Sequence, residues 1–368
     1  MLNFAVGPVP MSPEIRALGV EDIPYFRTGD FSAMMRDSER MLLDFAHAPQ
    51  GSRAIFPTSS GTGAMEATVM GTLDPACDRA LIVDGGSFGH RFREMLSLHG
   101  IMHDAVELEY GRPLMKSDLE PFEGKGYTAF LVNLGETSQG MLYDSELIAD
   151  FCSRNKLFLI VDGISSFLAD PFDMESMSAD VLITDAQKAL ACPPGIAPMV
   201  LSPRALDRAE KIRQPCMYFD LVSLLRNQER GQTPFTPAVG ILLQIHRRLE
   251  QISEGGGVDA EVSRCAKIAE DFRQRMRASG LPLDMRLESP SNAVTYLATR
   301  GFSARAIFEC LESDYGIWVC PNGGETAESA FRVGHIGFHT PSDNSMLVSA
   351  LSSLKQRGLM EPRNRGSL

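Results

Sequence analysis

Five short apolar runs constrain the fold of this chain more than any other feature of its sequence. They lie at residues 80–83, 129–132, 158–161, 181–183 and 198–201. Each run is continuously apolar, whereas a strand with one solvated face would alternate apolar and polar residues. Amphipathic stretches separate the runs. The pattern therefore predicts an α/β domain in which helices cover both faces of a mostly parallel sheet.

The sequence texture changes in the last third of the chain. Two helices are predicted within residues 238–278, with a break at the three glycines 255–257. After Gly280, strands are predicted at 294–297, 317–320 and 331–336, and helices at 304–312 and 344–355. This mixture indicates a smaller C-terminal α+β domain.

Composition excludes several classes of function. The net charge is −12 and no block of Lys or Arg stands out, which disfavours nucleic acid as a partner. No apolar stretch reaches the roughly 20 residues of a membrane span, and no secretory signal is recognisable. The 7 cysteines are scattered and form no CxxC pair, as expected for reduced thiols. We therefore expect a soluble cytoplasmic enzyme.

Two charged residues follow neighbouring apolar runs. Asp162 comes directly after the run at 158–161, and Lys188 lies in the polar turn after 181–183. Ligands of open α/β sheets bind beyond the carboxyl ends of the strands, where both residues would meet. A lysine that forms a Schiff base and an aspartate that faces a pyridine nitrogen are the protein groups that pyridoxal phosphate chemistry requires.

A hydroxyl-rich turn at residues 58–67 opens another predicted helix. Free amides at a helix start form an anion site, although Ser and Thr are also ordinary helix caps. Beside Asp162 and Lys188, we interpret the turn as the phosphate site. Phe88 could offer a flat face to the cofactor ring, and core packing is its commoner alternative.

Arg332 is predicted to lie in an apolar strand between Phe331 and Val333. Its guanidinium suits a carboxylate or a phosphonate, and an internal ion pair with Asp or Glu is the alternative. His335 and His339 are four residues apart, but they are not on one helical face, so no metal site is predicted. A serine hydrolase is disfavoured because Ser87, Ser165 and Ser166 have no plausible His partner.

These residues, taken in order, resemble the class V aminotransferases, a branch of the fold-type I pyridoxal phosphate enzymes. The resemblance covers nearly the whole chain, at residues 7–10, 59–67, 135–140, 161–166, 187–190 and 331–337. The segments 187–190 and 193–195 are similar to alanine–glyoxylate and serine–pyruvate aminotransferases. The segments 162–167, 231–237 and 331–332 are similar to 2-aminoethylphosphonate–pyruvate aminotransferases, which look slightly nearer.

The resemblance implies roles for individual residues. Lys188 would carry the cofactor covalently, Asp162 would keep the pyridine nitrogen protonated, and Arg332 would bind the substrate carboxylate. Phe88 would stack on the ring, Thr137 would lie near the ring hydroxyl, and Thr236 would reach the phosphate of a partner subunit. The residues implied to hold the phosphate in the same subunit are Ser60, Gly61, Thr62 and Gln187. Asp185 departs from the family pattern of small residues, and it would repel the phosphate unless it points away.

The resemblance also implies the architecture and the reaction. We expect an N-terminal segment (1–15) over the active site, a large cofactor domain (16–255) and a small domain (256–368). We expect a homodimer with its sites at the interface. The reaction would move an amino group from a small amine or amino acid, with 2-aminoethylphosphonate favoured, to a keto acid such as pyruvate.

Two other functions are alternatives to transamination. A pyridoxal phosphate lyase or desulfurase needs a nucleophilic cysteine on a mobile loop, and Cys192 and Cys320 are not in a loop of that type. A regulatory protein without cofactor would not need Lys188, Asp162 and Arg332 together.

Overall fold

The computed structural model describes residues 1–362. In that range the strands are β1 (Leu2–Phe4), β2 (Arg53–Ile55), β3 (Arg79–Asp84), β4 (Met102–Glu107), β5 (Ala129–Asn133), β6 (Gly135–Glu136), β7 (Met141–Leu142), β8 (Phe158–Asp162), β9 (Val181–Ile183), β10 (Met199–Leu201), β11 (Leu283–Met285), β12 (Val294–Thr299), β13 (Ile317–Pro321) and β14 (Ala330–Gly334). The helices are α1 (Pro13–Leu18), α2 (Gly29–Phe45), α3 (Gly61–Thr72), α4 (Ser87–Leu98), α5 (Lys116–Leu119), α6 (Ser145–Asn155), α7 (Pro203–Lys211), α8 (Leu221–Glu229), α9 (Val239–Glu254), α10 (Gly257–Ser279), α11 (Ala304–Tyr315) and α12 (Pro341–Gln356).

The large sheet has seven strands in the order β2-β10-β9-β8-β5-β3-β4. Strands β4, β3, β5, β8 and β9 are parallel, and β10 is antiparallel to both of its neighbours. All five predicted apolar runs are strands of this sheet. The prediction of a mostly parallel sheet in an α/β domain is therefore confirmed.

Helices cover both faces of the large sheet, which is why its strands are apolar throughout. Alternate residues of β5 contribute to two different core clusters, with Phe130 in one and Leu131 in the other. The same division separates Leu159 from Ile160 in β8. Both faces of each strand are thus withdrawn from water, and the hydrophobic effect acts on every residue of the run.

The small sheet has five strands in the order β1-β13-β14-β12-β11. Strand β1 comes from the N-terminus and runs parallel to β13. Strand β14 ends at Gly334, two residues before the predicted end at 336. A Cβ on Gly334 would lie 2.5 Å from the Ala5 carbonyl oxygen, so the N-terminal chain crosses closely at this point. This crossing accounts for the early end of the strand.

The three-glycine break lies between two long helices, since α9 ends at Glu254 and α10 begins at Gly257. The division into parts 1–15, 16–255 and 256–368 stays a prediction, and the last six residues of the third part lie outside the described residues. In residues 1–362 no helix combines the length and the apolar character that a membrane crossing needs.

Candidate active site

The parallel strands bring the predicted catalytic residues to one edge of the large sheet. Asp162 is the last residue of β8, in register with Asn133 of β5 on one side and Ile183 of β9 on the other. Lys188 lies in the turn that follows β9. The sheet therefore places both side chains beyond the carboxyl ends of adjacent strands, where such folds bind ligands.

The Lys188 amine lies under the N-terminal segment. Its Nζ donates a hydrogen bond to the Val6 carbonyl at 3.0 Å, and the Val9 amide donates to the Gln187 carbonyl at 3.2 Å. Gly7 packs directly on the lysine, because a Cβ at this position would lie 2.7 Å from Lys188 Cδ. Burial lowers the pKa of the amine, and the carboxylates of Asp185 and Asp162 oppose that shift. A lowered pKa favours the neutral, nucleophilic amine.

The Asp162 carboxylate is buried, and no Lys, Arg or His of residues 1–362 donates a hydrogen bond to it. Its side-chain Oδ1 accepts from the Ile164 amide at 2.8 Å, and the residue is 5% exposed. Burial raises the pKa of Asp162 to about 7, against the opposing effects of that amide, Lys188 and Arg91. A buried carboxylate is costly unless it is paired, so the position suits a cationic group such as a protonated pyridine nitrogen.

The predicted phosphate site is the start of α3. Ser60 is the N-cap of this helix, and its Oγ accepts from the Gly63 amide at 3.4 Å. Gly61 has no room for a side chain, since a Cβ would lie 2.5 Å from Ile164 Cδ1. Glycine is therefore the residue that fits at the first position of this helix, where backbone amides can hold an anion.

Asp185 faces this phosphate site. Its Oδ2 accepts from the Gly61 amide at 2.7 Å and from Gln187 Nε2 at 2.6 Å. These are two of the groups that the sequence analysis assigned to the phosphate. The carboxylate therefore does not point away from the phosphate site, which was the condition under which its charge would be harmless.

Phe88 and an unpredicted arginine line the other side of the site. Phe88 is in the first turn of α4 and is partly buried. The Arg91 guanidinium carbon is 5.1 Å from the Phe88 ring centroid, and Arg91 Nη1 donates to Thr62 Oγ1 at 3.1 Å. The sequence analysis assigned no role to Arg91. Its spacing of three from Phe88, which places both on one helical face, was the available signal.

Arg332 reaches the site from the small sheet. Its Nη1 donates to the Thr137 carbonyl at 3.2 Å, and Nη2 donates to the Pro321 carbonyl at 2.9 Å and to Cys320 Sγ at 3.2 Å. Arg332 Nε is buried without a hydrogen-bond partner in residues 1–362. No Asp or Glu of the described residues pairs with this guanidinium, so the geometry favours the substrate anion over the internal ion pair. Cys320 is a second neighbour that the sequence analysis did not place here.

The remaining candidates lie further from these groups. Thr236 is exposed, and two residues on, the Ala238 amide donates to Thr58 Oγ1 at 3.2 Å. His335 is buried against Thr295, with 2.7 Å between its Nε2 and Oγ1, and His339 stacks on Phe4. The described part of the chain has no cluster of three or more metal-ligating side chains.

The donors and acceptors of the site fit pyridoxal phosphate. The fit rests on four features: a partly buried amine at Lys188, a buried carboxylate at Asp162, the glycine that begins α3 at Gly61, and a guanidinium at Arg332 that pairs with no Asp or Glu of residues 1–362. Buried Oε1 of Gln187 also has no hydrogen-bond partner in residues 1–362. The charge of Asp185 opposes a bound phosphate.

Comparisons with known proteins extend over almost the whole chain. The sequence profile described as Aminotransferase class-V matches residues 27–337. The soluble hydrogenase 42 kDa subunit of Anabaena cylindrica is 29% identical over 95% of this chain and 91% of its own length. The L-aspartate–glyoxylate aminotransferase of Paracoccus denitrificans is 28% identical over 95% and 89%.

A third relative and a solved structure are also similar to this chain. The 2-aminoethylphosphonate–pyruvate transaminase of Salmonella dublin is 28% identical over 85% of this chain and 86% of its own. The crystal structure of an aspartate aminotransferase of subgroup IV from Thermus thermophilus superposes with a TM-score of 0.89, at 24% identity, over 97% of this chain and 99% of that one. This chain and the Thermus protein therefore share one fold over nearly their whole length.

Proposed function

Because this chain belongs to the class V aminotransferase family, we propose that it transfers an amino group from a small amine or amino acid to a 2-keto acid, with pyridoxal phosphate held at Lys188. The observation that carries the proposal is the meeting of Lys188, Asp162 and an unpaired Arg332 at one sheet edge. The two catalytic residues come from the turn after β9 and from the end of β8, and Arg332 comes from β14 of the small sheet. Such a set serves amino transfer in both directions.

Each residue has a separate task in this proposal. Bound pyridoxal phosphate supplies an electron sink for the bond electrons of the donor carbon. Asp162 holds a proton at the pyridine nitrogen, which an ionised carboxylate stabilises. Lys188 Nζ takes the proton from the donor carbon and returns it during the reverse half-reaction. Phe88 offers a ring face, and the amides that open α3 hold the phosphate.

The Lys188 amine is already held in place by the protein backbone. The Val6 carbonyl accepts from Nζ, and Gly7 allows the N-terminal chain to lie directly on the lysine stem. The N-terminal chain over Lys188 limits the approach of water to the amine. A fixed amine in a shielded site transfers protons with less reorganisation than a free one.

The anion that Arg332 would bind limits the candidate amino donors to those with a carboxylate or a phosphonate. A planar guanidinium binds a carboxylate or a phosphonate through two parallel hydrogen bonds. The sequence motifs favour 2-aminoethylphosphonate as donor and pyruvate as acceptor. Alanine or serine with glyoxylate or pyruvate is the alternative, and the L-aspartate–glyoxylate aminotransferase of Paracoccus adds L-aspartate with glyoxylate.

Arg332→Lys tests the anion clamp and ranks the donors in one experiment. Lysine keeps the charge and loses the fork, so each half-reaction that uses the clamp should slow about 10- to 100-fold, as expected for loss of 1.5–3 kcal/mol. Single-turnover spectra with 2-aminoethylphosphonate, alanine, serine and aspartate measure the donor half-reaction. Pyruvate and glyoxylate measure the return.

The wild-type rates in the same assay decide between the donors. We expect 2-aminoethylphosphonate to react faster than the three amino acids. A wide advantage for alanine, serine or aspartate would replace the phosphonate assignment by that of an amino acid. No amino transfer with any donor and acceptor would contradict the aminotransferase function itself.

We also propose that the working unit is a homodimer. Thr236 is exposed, and it lines a surface groove together with Val20, Ile23 and Pro237. Val20 and Ile23 are 88% and 65% exposed, which is unusual for large apolar side chains and typical of a contact surface. Light scattering at assay concentration should give twice the chain mass of 40.3 kDa. A fully active monomer would rule out the shared phosphate site.

A further inference from the structure

Asp185 is held in the phosphate site by several hydrogen bonds. One carboxylate oxygen accepts from the Gly61 amide at 2.7 Å and from Gln187 Nε2 at 2.6 Å, and the other accepts from the Ala186 amide at 3.1 Å. The residue is 3% exposed. Such a carboxylate satisfies the free amide at the start of α3 in the way that a bound anion would.

These bonds use the donors that a phosphate would need. A phosphate group binds at helix starts through backbone amides, and Gly61 is the first residue of α3. The Gln187 amide is the side-chain donor beside it. Each N–H can serve one anion well, and two anions at this distance repel each other. Asp185 and a cofactor phosphate would therefore compete for the same hydrogen-bond donors.

The charges around Asp185 do not neutralise it. In residues 1–362 no Lys or Arg forms a hydrogen bond or an ion pair with this carboxylate, and the Lys188 amine donates to Val6 instead. Burial raises the pKa of Asp185, and the amide of Gly61, the side chain of Gln187 and the charge of Lys188 oppose that shift. The carboxylate is thus held by neutral dipoles, which a phosphate can take over.

We propose that Asp185 is an internal anion that occupies the phosphate site when no cofactor is bound, and that it competes with the cofactor phosphate for the Gly61 amide and the Gln187 side chain. This inference rests on the proposed function, because it concerns the same cofactor site. Its consequence is that Asp185 stabilises the protein without cofactor and weakens its affinity for the cofactor.

Arg91 supplies an opposite charge on the far side of the phosphate site. Its guanidinium donates to Thr62 Oγ1 at 3.1 Å, and it forms no ion pair with an Asp or Glu of the described chain. An entering phosphate would be drawn toward Thr62 and Arg91 and away from Asp185. The site is therefore polarised, with its cation on α4 and its anion in the turn before Lys188.

The test replaces Asp185 and measures binding and stability, with no need for turnover. Asp185→Ser removes the charge and is too short to reach the Gly61 amide. Asp185→Asn removes the charge and leaves an acceptor for that amide. Calorimetric titration of the cofactor-free protein with pyridoxal phosphate, with pyridoxal and with inorganic phosphate gives three dissociation constants. Thermal unfolding of the same samples gives Tm.

We expect the two properties to change in opposite directions. Both variants should bind pyridoxal phosphate and inorganic phosphate at least about tenfold more tightly, because one like charge has left the site. Binding of pyridoxal, which has no phosphate, should change less than threefold. Asp185→Ser should lower the Tm of the cofactor-free protein, because the Gly61 amide loses its partner. A purely structural aspartate would weaken binding and stability together.

A matched control removes an acidic side chain near the phosphate site but outside it. Glu94 is on α4, the helix that carries Arg91, and its side chain is 70% exposed. Glu94→Gln should leave all three dissociation constants unchanged. The inference is wrong if the Asp185 variants bind pyridoxal phosphate no more tightly than the wild type, or if pyridoxal gains as much as its phosphate. Failure of the wild type to link pyridoxal phosphate to Lys188 would instead contradict the proposed function, and the inorganic phosphate titration would still report on Asp185.

Discussion

Lys188→Ala should abolish the visible absorption of a lysine-linked cofactor and lower transamination by at least about 10⁴-fold, because both the covalent attachment and the proton transfer depend on one amine. The amine is partly buried, and its pKa is lowered mainly by burial. Gly7 and Val6 lie directly on the lysine side chain.

Absorbance spectra and borohydride trapping check this prediction. Reduction of the wild type should fix the cofactor to the peptide that contains Lys188, and the variant should retain no label. Lys211→Ala is a suitable control, because Lys211 is on α7 in an exposed ion pair with Asp207. Labelling of another lysine in the wild type, or normal turnover by Lys188→Ala, would show that the amine has been assigned wrongly.

Asp162→Ala is the second change with a large expected effect. It would leave a buried pyridine nitrogen without its anionic partner, and the removal of one member of a buried charge pair costs about 3–5 kcal/mol. We expect a loss of roughly 10²–10³-fold in turnover, with weaker cofactor binding. Steady-state kinetics at saturating cofactor separate the two effects. Undiminished turnover would mean that another group activates the ring.

The pH dependence of stability provides an independent check on Asp162. Burial raises the pKa of this carboxyl to about 7 in the folded protein. In the unfolded chain the pKa of an Asp carboxyl is about 3.9. Between these values the folded state holds a proton that the unfolded state has lost, so the contribution of Asp162 to stability falls as the pH rises from about 4 to about 7 and is constant above.

Asp162→Asn removes this contribution, because asparagine does not titrate. Without cofactor, the Tm of the variant should gain on that of the wild type as the pH rises from 4 to 8. A constant difference across this range would show that the carboxyl titrates normally. On the expected result, Asp162→Asn would be more stable than the wild type at high pH without cofactor and a weaker catalyst with cofactor.

The sequence predicted the centre of the fold better than its edges. The strands with two covered faces, such as β5 and β8, are apolar throughout, and burial leaves few other compositions. The sheet edge β4 was missed because it is mostly half-exposed and contains His103 and Asp104. Strand β1 was missed because its three residues gain their pairing only from the distant strand β13.

The candidate site shows the same division between local and distant information. Lys188 and Asp162 could be located because each follows a recognisable strand. The orientation of Asp185 could not, since it depends on the amide of a residue 124 positions earlier in the chain. The role proposed for Thr236 would depend on a second subunit, whose position one chain's sequence does not specify.

The N-terminal chain links two parts of the molecule that could otherwise move separately. Its first residues are a strand of the small sheet, and Val9 is hydrogen-bonded to Gln187, beside the catalytic lysine. Between these two anchors, the Val6 carbonyl holds the lysine amine. Any rotation of the small sheet would therefore act, through these few residues, on the Lys188 amine. With Lys188 as the proposed base, a movement of the small sheet that admits substrate would also free the amine from the Val6 carbonyl.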